Sequence, residues 1–225
     1  MLLERASRSA LAGVCGAFLP LIFALGGCPQ EPDVHPDAAP PACTLAFIGD
    51  KTADMKLEVT VRSVDGKSVL LKDGDTVPLI FPPQGGRVVF IGARVTNVDP
   101  CAVKLAGAIR DTTTKQVRVD NRTINLKPTG DGWGASVDGD ISTFSNVPMC
   151  PNQWASSDAF DHPFAVEIAV IEKGGRAVSK ELMVTPTCAE PERAAECRCI
   201  CKKGYILGEK CDAGDAGDAG DAGSD

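Results

Sequence analysis

The sequence predicts an all-β protein, in which an antiparallel β-sandwich carries a small disulfide-rich C-terminal tail. Between residues 43 and 188, short apolar runs alternate with polar residues at a period of two, and turn residues separate the runs. No stretch of this region keeps the period of about 3.6 residues that marks an amphipathic helix. Five of the chain's ten cysteines fall within residues 188–211, a density typical of a disulfide framework.

The first half of the predicted sandwich contains three strands. KLEVTVRSV, residues 56–64, alternates apolar and polar side chains. TVPLIF, residues 76–81, is a second short apolar run, which ends at the turn residues of PPQGG, residues 82–86. RVVFIGARVTNV, residues 87–98, is apolar on one face and only partly polar on the other, which predicts a central strand.

The second half predicts one more strand and a hairpin. AVKLAGAIRD, residues 102–111, has apolar side chains at a period of two. FAVEIAVIEKGGRAVSKELMV, residues 164–184, alternates on both sides of Gly174 and Gly175, as two strands joined by a tight turn do. About seven short strands separated by turns are typical of a sandwich. The pattern over residues 43–188 resembles an immunoglobulin-like or fibronectin-like module, without the Cys-Trp-Cys core of antibody domains.

The N-terminus has the features of a secretory signal peptide. Arg5 and Arg8 precede a mainly apolar run over residues 10–25. This run is shorter than the roughly 20 apolar residues that a membrane-spanning helix needs. A basic start, a short apolar centre and small residues before a cleavage point are typical of a signal peptide, so we expect the protein to be exported.

The end of this segment carries a second signal. Leu25-Gly26-Gly27-Cys28 resembles the bacterial lipobox, in which the cysteine sulfur receives a diacylglycerol and a peptidase cuts before the cysteine. The resemblance implies that residues 1–27 are removed as a lipoprotein signal peptide and that Cys28 carries acyl chains such as palmitate. Two or more chains give stable membrane anchoring. An ordinary signal peptide and a retained signal anchor stay open as alternatives.

Residues 28–42 form the predicted linker between this anchor and the folded region. PQEPDVHPDAAPPA contains five prolines, which favour an extended polyproline II segment. Pro29 follows the cysteine, in place of the aspartate that keeps lipoproteins at the inner membrane of enteric bacteria. By that resemblance we expect a cell-envelope protein anchored at the outer membrane, facing the periplasm or the surface.

The remaining cysteines predict disulfides. Once the signal peptide is removed and Cys28 carries lipid, an even number remains in an exported chain, enough for up to four bridges. The eight are Cys43, Cys101, Cys150, Cys188, Cys197, Cys199, Cys201 and Cys211. Because Cys101 and Cys150 both stand at predicted strand ends, we expect them to pair, although Cys43 competes for either partner. Deletion of residues 189–225 is then expected to leave the sandwich folded.

The predicted tail, residues 189–211, contains CRCICKKGYILGEKC, which is similar to the closing half of an EGF-like module. That resemblance implies that Cys201 pairs with Cys211, and Cys199 with an upstream cysteine such as Cys188. A zinc site is the alternative, since clustered thiolates bind zinc; an exported chain favours disulfides, so we expect no metal.

The C-terminus repeats one short motif. Residues 212–225 contain four DAG triplets and no large apolar side chain. Such a composition cannot offset the entropy of ordering, so the sequence predicts a disordered acidic segment.

Candidate catalytic groups are few. His162 lies near Asp158 and Asp161 in DAFDHPF, but no nucleophile motif accompanies them. We therefore expect no enzyme and no cofactor, with a hydrolase that uses His162 and either aspartate as the alternative. DGDIS, residues 138–142, is similar to the start of a calcium loop but lacks its later glycine and glutamate, so a polar turn is predicted.

A candidate binding loop follows the central strands. Residues 146–164 show no strand period and contain Trp154, Phe160 and His162. Long loops on a rigid sandwich often carry binding residues. The alternative is that both aromatic side chains close the ends of the core.

These features together predict a non-enzymatic, lipid-anchored envelope protein that binds a protein or glycan partner or has a structural role. A subunit of a secretion or surface-assembly complex is a further alternative. The net charge of -7 argues against nucleic acid as a partner.

Overall fold

Two β-sheets pack face to face in the computed structural model, which describes residues 43–211. The predicted signal peptide, Cys28, the linker and the DAG segment lie outside these residues. The strands are β1 (Lys56–Arg62), β2 (Ser68–Leu70), β3 (Thr76–Pro78), β4 (Arg87–Thr96), β5 (Val103–Asp111), β6 (Val117–Ile124), β7 (Lys127–Pro128), β8 (Gly134–Ala135), β9 (Ser145–Cys150), β10 (Phe164–Ile171) and β11 (Ala177–Thr187).

The strand order confirms the predicted sandwich. The first sheet runs β2-β1-β4-β8-β7, and β9 also pairs with β4. The second sheet runs β3-β11-β10-β5-β6. Every pairing is antiparallel except that of β3 with β11. All five predicted strand regions contain strands of the structure, and β10 and β11 form the predicted hairpin.

The core lies between the two sheets. Alternate residues of β4, from Val89 to Val95, are buried on the inner face, and alternate residues of β10, from Phe164 to Val170, are buried opposite them. This burial follows from the period of two, because successive side chains of a strand point to opposite faces. A smaller cluster on the outer face of the first sheet is formed by Ile80, Val88, Phe90 and Phe144.

Five strands were not predicted, the short β2, β7 and β8 and the longer β6 and β9. In β6 the positions that alternate with exposed Val117 and Val119 are polar, so no apolar face marks the strand. The polar side instead bonds across the sandwich: the Asn146 amide donates to the Asp120 carboxylate at 2.9 Å. The Ser145 hydroxyl donates to the Asp120 carbonyl at 2.9 Å. Inward-facing charges on an edge strand also limit pairing with other chains.

The disulfides differ from the expected pairs. The structure contains Cys43–Cys101, Cys150–Cys201, Cys188–Cys197 and Cys199–Cys211. The predicted Cys101–Cys150 bridge is wrong, because Cys150 pairs in register with Arg87 at the start of β4 while Cys101 follows its end. A strand of ten residues separates these positions by roughly 30 Å. The Cys201–Cys211 and Cys188–Cys199 pairs implied by the EGF-like resemblance are also wrong.

The tail packs onto the sandwich, contrary to the expectation that it lies outside the main core. A 3-10 turn at Pro191–Arg193 leads into the helix α1 (Ala194–Cys201), whose Cys197 and Cys201 belong to the main core. The amide of Asn152 donates to the Ile200 carbonyl at 2.9 Å. The helix therefore covers the segment that follows β9.

Arg87 is the second link between the sandwich and the tail. Its side chain is fully buried and forms ion pairs with Glu196 at 3.2 Å and Glu190 at 3.6 Å. Its guanidinium lies 5.0 Å from the centre of the Phe81 ring, and that of Arg193 lies 4.0 Å from the same ring.

Within residues 43–211, no helix is long and apolar enough to span a bilayer.

Candidate binding site

The predicted binding loop turns its aromatic side chains inward. Trp154 and Phe160 are 7% and 9% exposed, and both belong to the main core. The Trp154 indole N–H donates to the Met149 carbonyl at 2.9 Å, and its ring lies 5.7 Å from that of Phe164. Neither aromatic ring is therefore presented to a ligand in this structure.

The candidate catalytic residues have separate partners. His162 is exposed, and its Nδ1 lies 2.9 Å from the Phe160 carbonyl oxygen. Asp158 accepts the Lys203 amide at 2.7 Å, and Asp161 pairs with Arg198 at 3.0 Å. Among the described residues, then, His162 has no hydrogen bond to either aspartate.

The candidate metal ligands are occupied in other bonds. The sulfur atoms of Cys188, Cys197 and Cys201 lie within 4.8 Å of one another, but each is part of a disulfide. They offer no thiolate in this state. In DGDIS, the carboxylate of Asp140 accepts the Ser142 amide at 2.9 Å and begins a 3-10 turn at Ile141–Thr143.

A cleft of about 660 Å³ lies instead on the outer face of the first sheet. It crosses the strands from β2 to β7, and the segment after β8 forms one wall. Its lining residues are Thr60, Ser68, Leu70, Arg94, Lys127, Pro128, Thr129, Ala135, Ser136, Val137, Asp138 and Gly139.

The strand register explains one half of the floor. Thr60 on β1 is the direct partner of Leu70 on β2 and of Gly92 on β4, so all three face the same side. A Cβ on Gly92 would lie 2.5 Å from the Thr60 hydroxyl and 2.8 Å from the Phe144 ring. Glycine is therefore needed here, because any side chain would push Phe144 off the sheet.

Thr60 is an unusual residue of the floor. It is 5% exposed, and its hydroxyl has no hydrogen-bond partner in the described part of the chain. A buried hydroxyl without a partner costs about 1–3 kcal/mol. The first sheet therefore contains a polar group that its own packing does not require.

The other half of the floor is charged. Ala135 on β8 is the direct partner of both Arg94 and Lys127, which places the two cations on the cleft side. Arg94 pairs with Glu58 and Asp131. Burial lowers the pKa of Arg94, but the hydrogen bonds to both carboxylates outweigh burial and raise it.

Trp133 contacts the charged half of the floor through Arg94. The Arg94 guanidinium lies 4.5 Å from the centre of the Trp133 ring, a cation–π contact. The hydrogen bond from the Thr129 hydroxyl, together with Arg94, lowers the pKa of Asp131. These contacts hold Arg94 in place, whereas Lys127 is exposed and has no ion pair within residues 43–211.

The wall of the cleft is tied to the opposite edge of the sheet. The Ser68 amide donates to the Asp138 carboxylate at 2.9 Å, and the Ser68 hydroxyl donates to the same oxygen. Ser136 donates its hydroxyl to the Thr143 carbonyl at 2.7 Å. The cleft is thus preformed, with one aliphatic end at Leu70 and one cationic end at Lys127.

The sequence patterns did not predict this cleft. The carboxylate spacing of residues 138–142 was noted above, but not the polar positions Glu58, Thr60 and Arg62 that alternate with the buried face of β1. These alternating polar residues lie on the outer face of β1, and the structure buries the threonine among them. They were the one sequence signal that this outer face is partly covered.

The fold and the site define a disulfide-linked antiparallel β-sandwich with a cleft of hydroxyl, charged and aliphatic groups across the outer face of one sheet. Comparison with protein-family models, with curated proteins and with solved structures finds no match to this chain.

Proposed function

We propose that this protein is an exported, non-enzymatic cell-envelope module, anchored by lipid at Cys28, and that it binds a glycan in the cleft of the first sheet. The cleft is the observation that carries the proposal: about 660 Å³ of preformed concave surface that combines hydroxyl, cationic and aliphatic groups. Binding sites typically combine concave shape with a few fixed polar groups.

The chemistry of the lining favours a glycan over a protein partner. Sugars present hydroxyl groups beside patches of C–H, and the cleft offers the exposed Lys127 ammonium and the Asp138 carboxylate beside Leu70 and Pro128. Large aromatic anchors typify protein interfaces. None lines the cleft, since Trp133 packs against Arg94 and Phe144 belongs to the small outer cluster.

Export and anchoring rest on other observations. Four disulfides within residues 43–211 suit an oxidising compartment. The Leu25-Gly26-Gly27-Cys28 junction supports lipidation, and intact mass of the mature protein tests it. A mass that matches an unmodified chain cut elsewhere would contradict the anchor without affecting the proposed cleft.

The experiment is a binding screen of the purified protein against an oligosaccharide array, with a variant that fills the cleft. Gly139 lines the cleft, and a Cβ there meets no atom within 4 Å, so Gly139→Phe adds a ring at the lining without a clash. Gly174→Phe, in the hairpin turn, is the matched control. We expect wild type and Gly174→Phe to retain the same oligosaccharides and Gly139→Phe to lose them.

Two results would contradict the proposal. If the folded wild-type protein binds no oligosaccharide on the array, the proposal that it binds a glycan is wrong. Equal retention by wild type and Gly139→Phe would place the binding site elsewhere. Lys127→Ala provides a second check, since loss of a charged hydrogen bond should weaken binding about tenfold or more.

A further inference from the structure

The loop closed by Cys199–Cys211 presents two large aliphatic side chains to solvent. Ile206 and Leu207 are 72% and 71% exposed, the highest values for large hydrophobic residues in the described region. We call residues 204–210 the aliphatic finger. Adjacent exposed aliphatic side chains at the tip of a loop are costly in water, so their position needs a reason.

Hydrogen bonds and an ion pair fix the conformation of the finger in this structure, so its exposure does not come from loose packing. The Glu209 amide donates to the Ile206 carbonyl at 2.9 Å, closing a turn in which Gly208 has a φ of 90°. Tyr205 is buried, and its hydroxyl donates to the Glu209 carbonyl at 3.1 Å. The Glu209 carboxylate pairs with Lys202. Several interactions therefore hold the two aliphatic side chains outward.

The size of the finger favours a bilayer over a protein partner. A stable protein interface needs about 800 Å² on each side, far more than two side chains supply. Insertion of apolar side chains into a bilayer interface has no such threshold, because binding scales with the apolar area that is buried. Two aliphatic side chains at the tip of a turn can enter the interface without moving the rest of the fold.

The flanks of the finger fit the lipid phosphate layer. Lys203 precedes the finger and Lys210 ends it, and both are exposed without an ion pair among the described residues. Lysines beside an inserted apolar group lie at the depth of the phosphates. The aspartates of residues 212–225 follow at once in the sequence, so net negative lipid charge is not expected to strengthen the contact.

We propose that the aliphatic finger is a membrane-contact site, in which Ile206 and Leu207 insert into a phospholipid bilayer and Lys203 and Lys210 meet the phosphates. This contact is separate from the cleft and from the anchor at Cys28. If the chain is also lipid-anchored, tethering raises the effective concentration of the finger at the bilayer. The finger would then fix one orientation of the sandwich on the membrane.

Photolabelling from the lipid tests the proposal. The full-length protein is added to phosphatidylcholine vesicles that contain a lipid with a diazirine in its acyl chain, irradiated, reduced and digested with trypsin. Cleavage after Lys203 and Lys210 releases GYILGEK, the finger itself. Cleavage after Lys67 and Lys72 releases SVLLK, in which Val69 and Leu70 are 51% and 48% exposed. We expect label on GYILGEK and little on SVLLK.

Matched variants distinguish insertion of the finger into the bilayer from non-specific adsorption of exposed apolar side chains. Ile206→Ser with Leu207→Ser should reduce partitioning of the finger on the order of 100-fold, about tenfold for each side chain, and bring its labelling down to that of SVLLK. Val69→Ser with Leu70→Ser should leave the labelling of GYILGEK unchanged. All four side chains are exposed, so both variants should keep the thermal midpoint and the disulfide map of the wild type.

Three outcomes would overturn the proposal. These are equal labelling of the two peptides, no labelling of GYILGEK in vesicle-bound protein, and no association of the folded protein with vesicles. A photoreactive residue at position 206 that crosslinks to protein and not to lipid in the native envelope would assign the finger to a protein partner instead. The glycan screen of the cleft is independent of each of these results.

Discussion

Thr60 on β1 and Thr143 in the short 3-10 turn are both buried threonines, but their hydroxyls have opposite surroundings. The Thr60 hydroxyl has no partner in residues 43–211. The Thr143 hydroxyl accepts the Val137 amide at 2.7 Å and donates to the Asp140 carbonyl at 2.7 Å. The same substitution should therefore change stability in opposite directions at the two positions.

We predict that Thr60→Val stabilises the protein by about 1 kcal/mol, because it removes an unsatisfied hydroxyl and keeps the β-branched shape. Thr143→Val should destabilise it by about 1–2 kcal/mol, because it leaves the Val137 amide without an acceptor. Urea unfolding of both variants measures the two free energies. Destabilisation of similar size in both would contradict the assigned difference.

Asp111 is a buried carboxylate at the end of β5, 2% exposed. Burial raises its pKa, but hydrogen bonds from the Ser156 amide and hydroxyl and from the Thr113 and Thr114 amides outweigh burial and lower the pKa to about 2. The ordinary value is 3.8. A folded-state pKa below that of the unfolded chain contributes stability above pH 4 and loses it as the pH falls toward 2.

We predict that Asp111→Asn removes this pH dependence. The shift corresponds to about 2 kcal/mol at neutral pH, which the wild type should lose progressively between about pH 4 and pH 2. Thermal unfolding of wild type and variant across this range measures the difference, and the two curves should converge near pH 2. A constant difference at every pH would mean that Asp111 contributes by packing alone.

At the scale of elements, the tail helix is held by one long-range disulfide and braced by two short ones. Cys150–Cys201 joins β9 to α1 across 51 residues, whereas Cys188–Cys197 spans 9. The entropy that a bridge removes from the unfolded chain grows with the length of the closed loop. The two bridges meet the same helix and close loops of very different length.

We predict that replacing Cys150 and Cys201 by alanine costs about 4 kcal/mol, and replacing Cys188 and Cys197 about 2.6 kcal/mol. Differential scanning calorimetry of the two double variants gives the order of their midpoints. The Cys150–Cys201 variant should melt lower, and the reverse order would show that local strain or packing outweighs chain entropy at these sites.

At the scale of the whole molecule, the sandwich and the tail share one core. Cys197 and Cys201 are buried in the main cluster, and Arg87 of β4 reaches Glu190 and Glu196 of the tail. Removal of the tail would take away both carboxylates that pair with the Arg87 guanidinium, which is destabilising. It would also expose the inner side of the segment after β9.

We therefore predict that deletion of residues 189–225 abolishes cooperative unfolding or lowers the thermal midpoint steeply. Truncation after Cys211 is the matched control, since it keeps every contact described for residues 43–211. Near-ultraviolet circular dichroism and a thermal melt of both truncations measure the effect. A midpoint within a few degrees of wild type for the longer deletion would mean that the sandwich folds independently of the tail.

The local features of this chain were determined by its sequence. Strands with a one-sided apolar period, such as β1, β5 and β10, were predicted because alternation encodes which face is buried. The turn at Gly174-Gly175 was predicted because glycine adopts backbone angles that other residues avoid; Gly175 has a φ of 89°. Both the apolar period and the glycine pair can be recognised from a few neighbouring residues, without knowledge of the tertiary structure.

The tertiary structure alone decided the cysteine pairs, the five unpredicted strands, of which β6 and β9 are the longest, and the cleft. Cys150 meets Cys201 because β9 lies beside the start of β4, a register that no short stretch of sequence contains. β6 faces the sandwich with polar groups whose partners come from β9. The cleft unites Thr60, Arg94 and Lys127 only because three strand pairings align them, and such long-range alignment depends on how the whole chain packs.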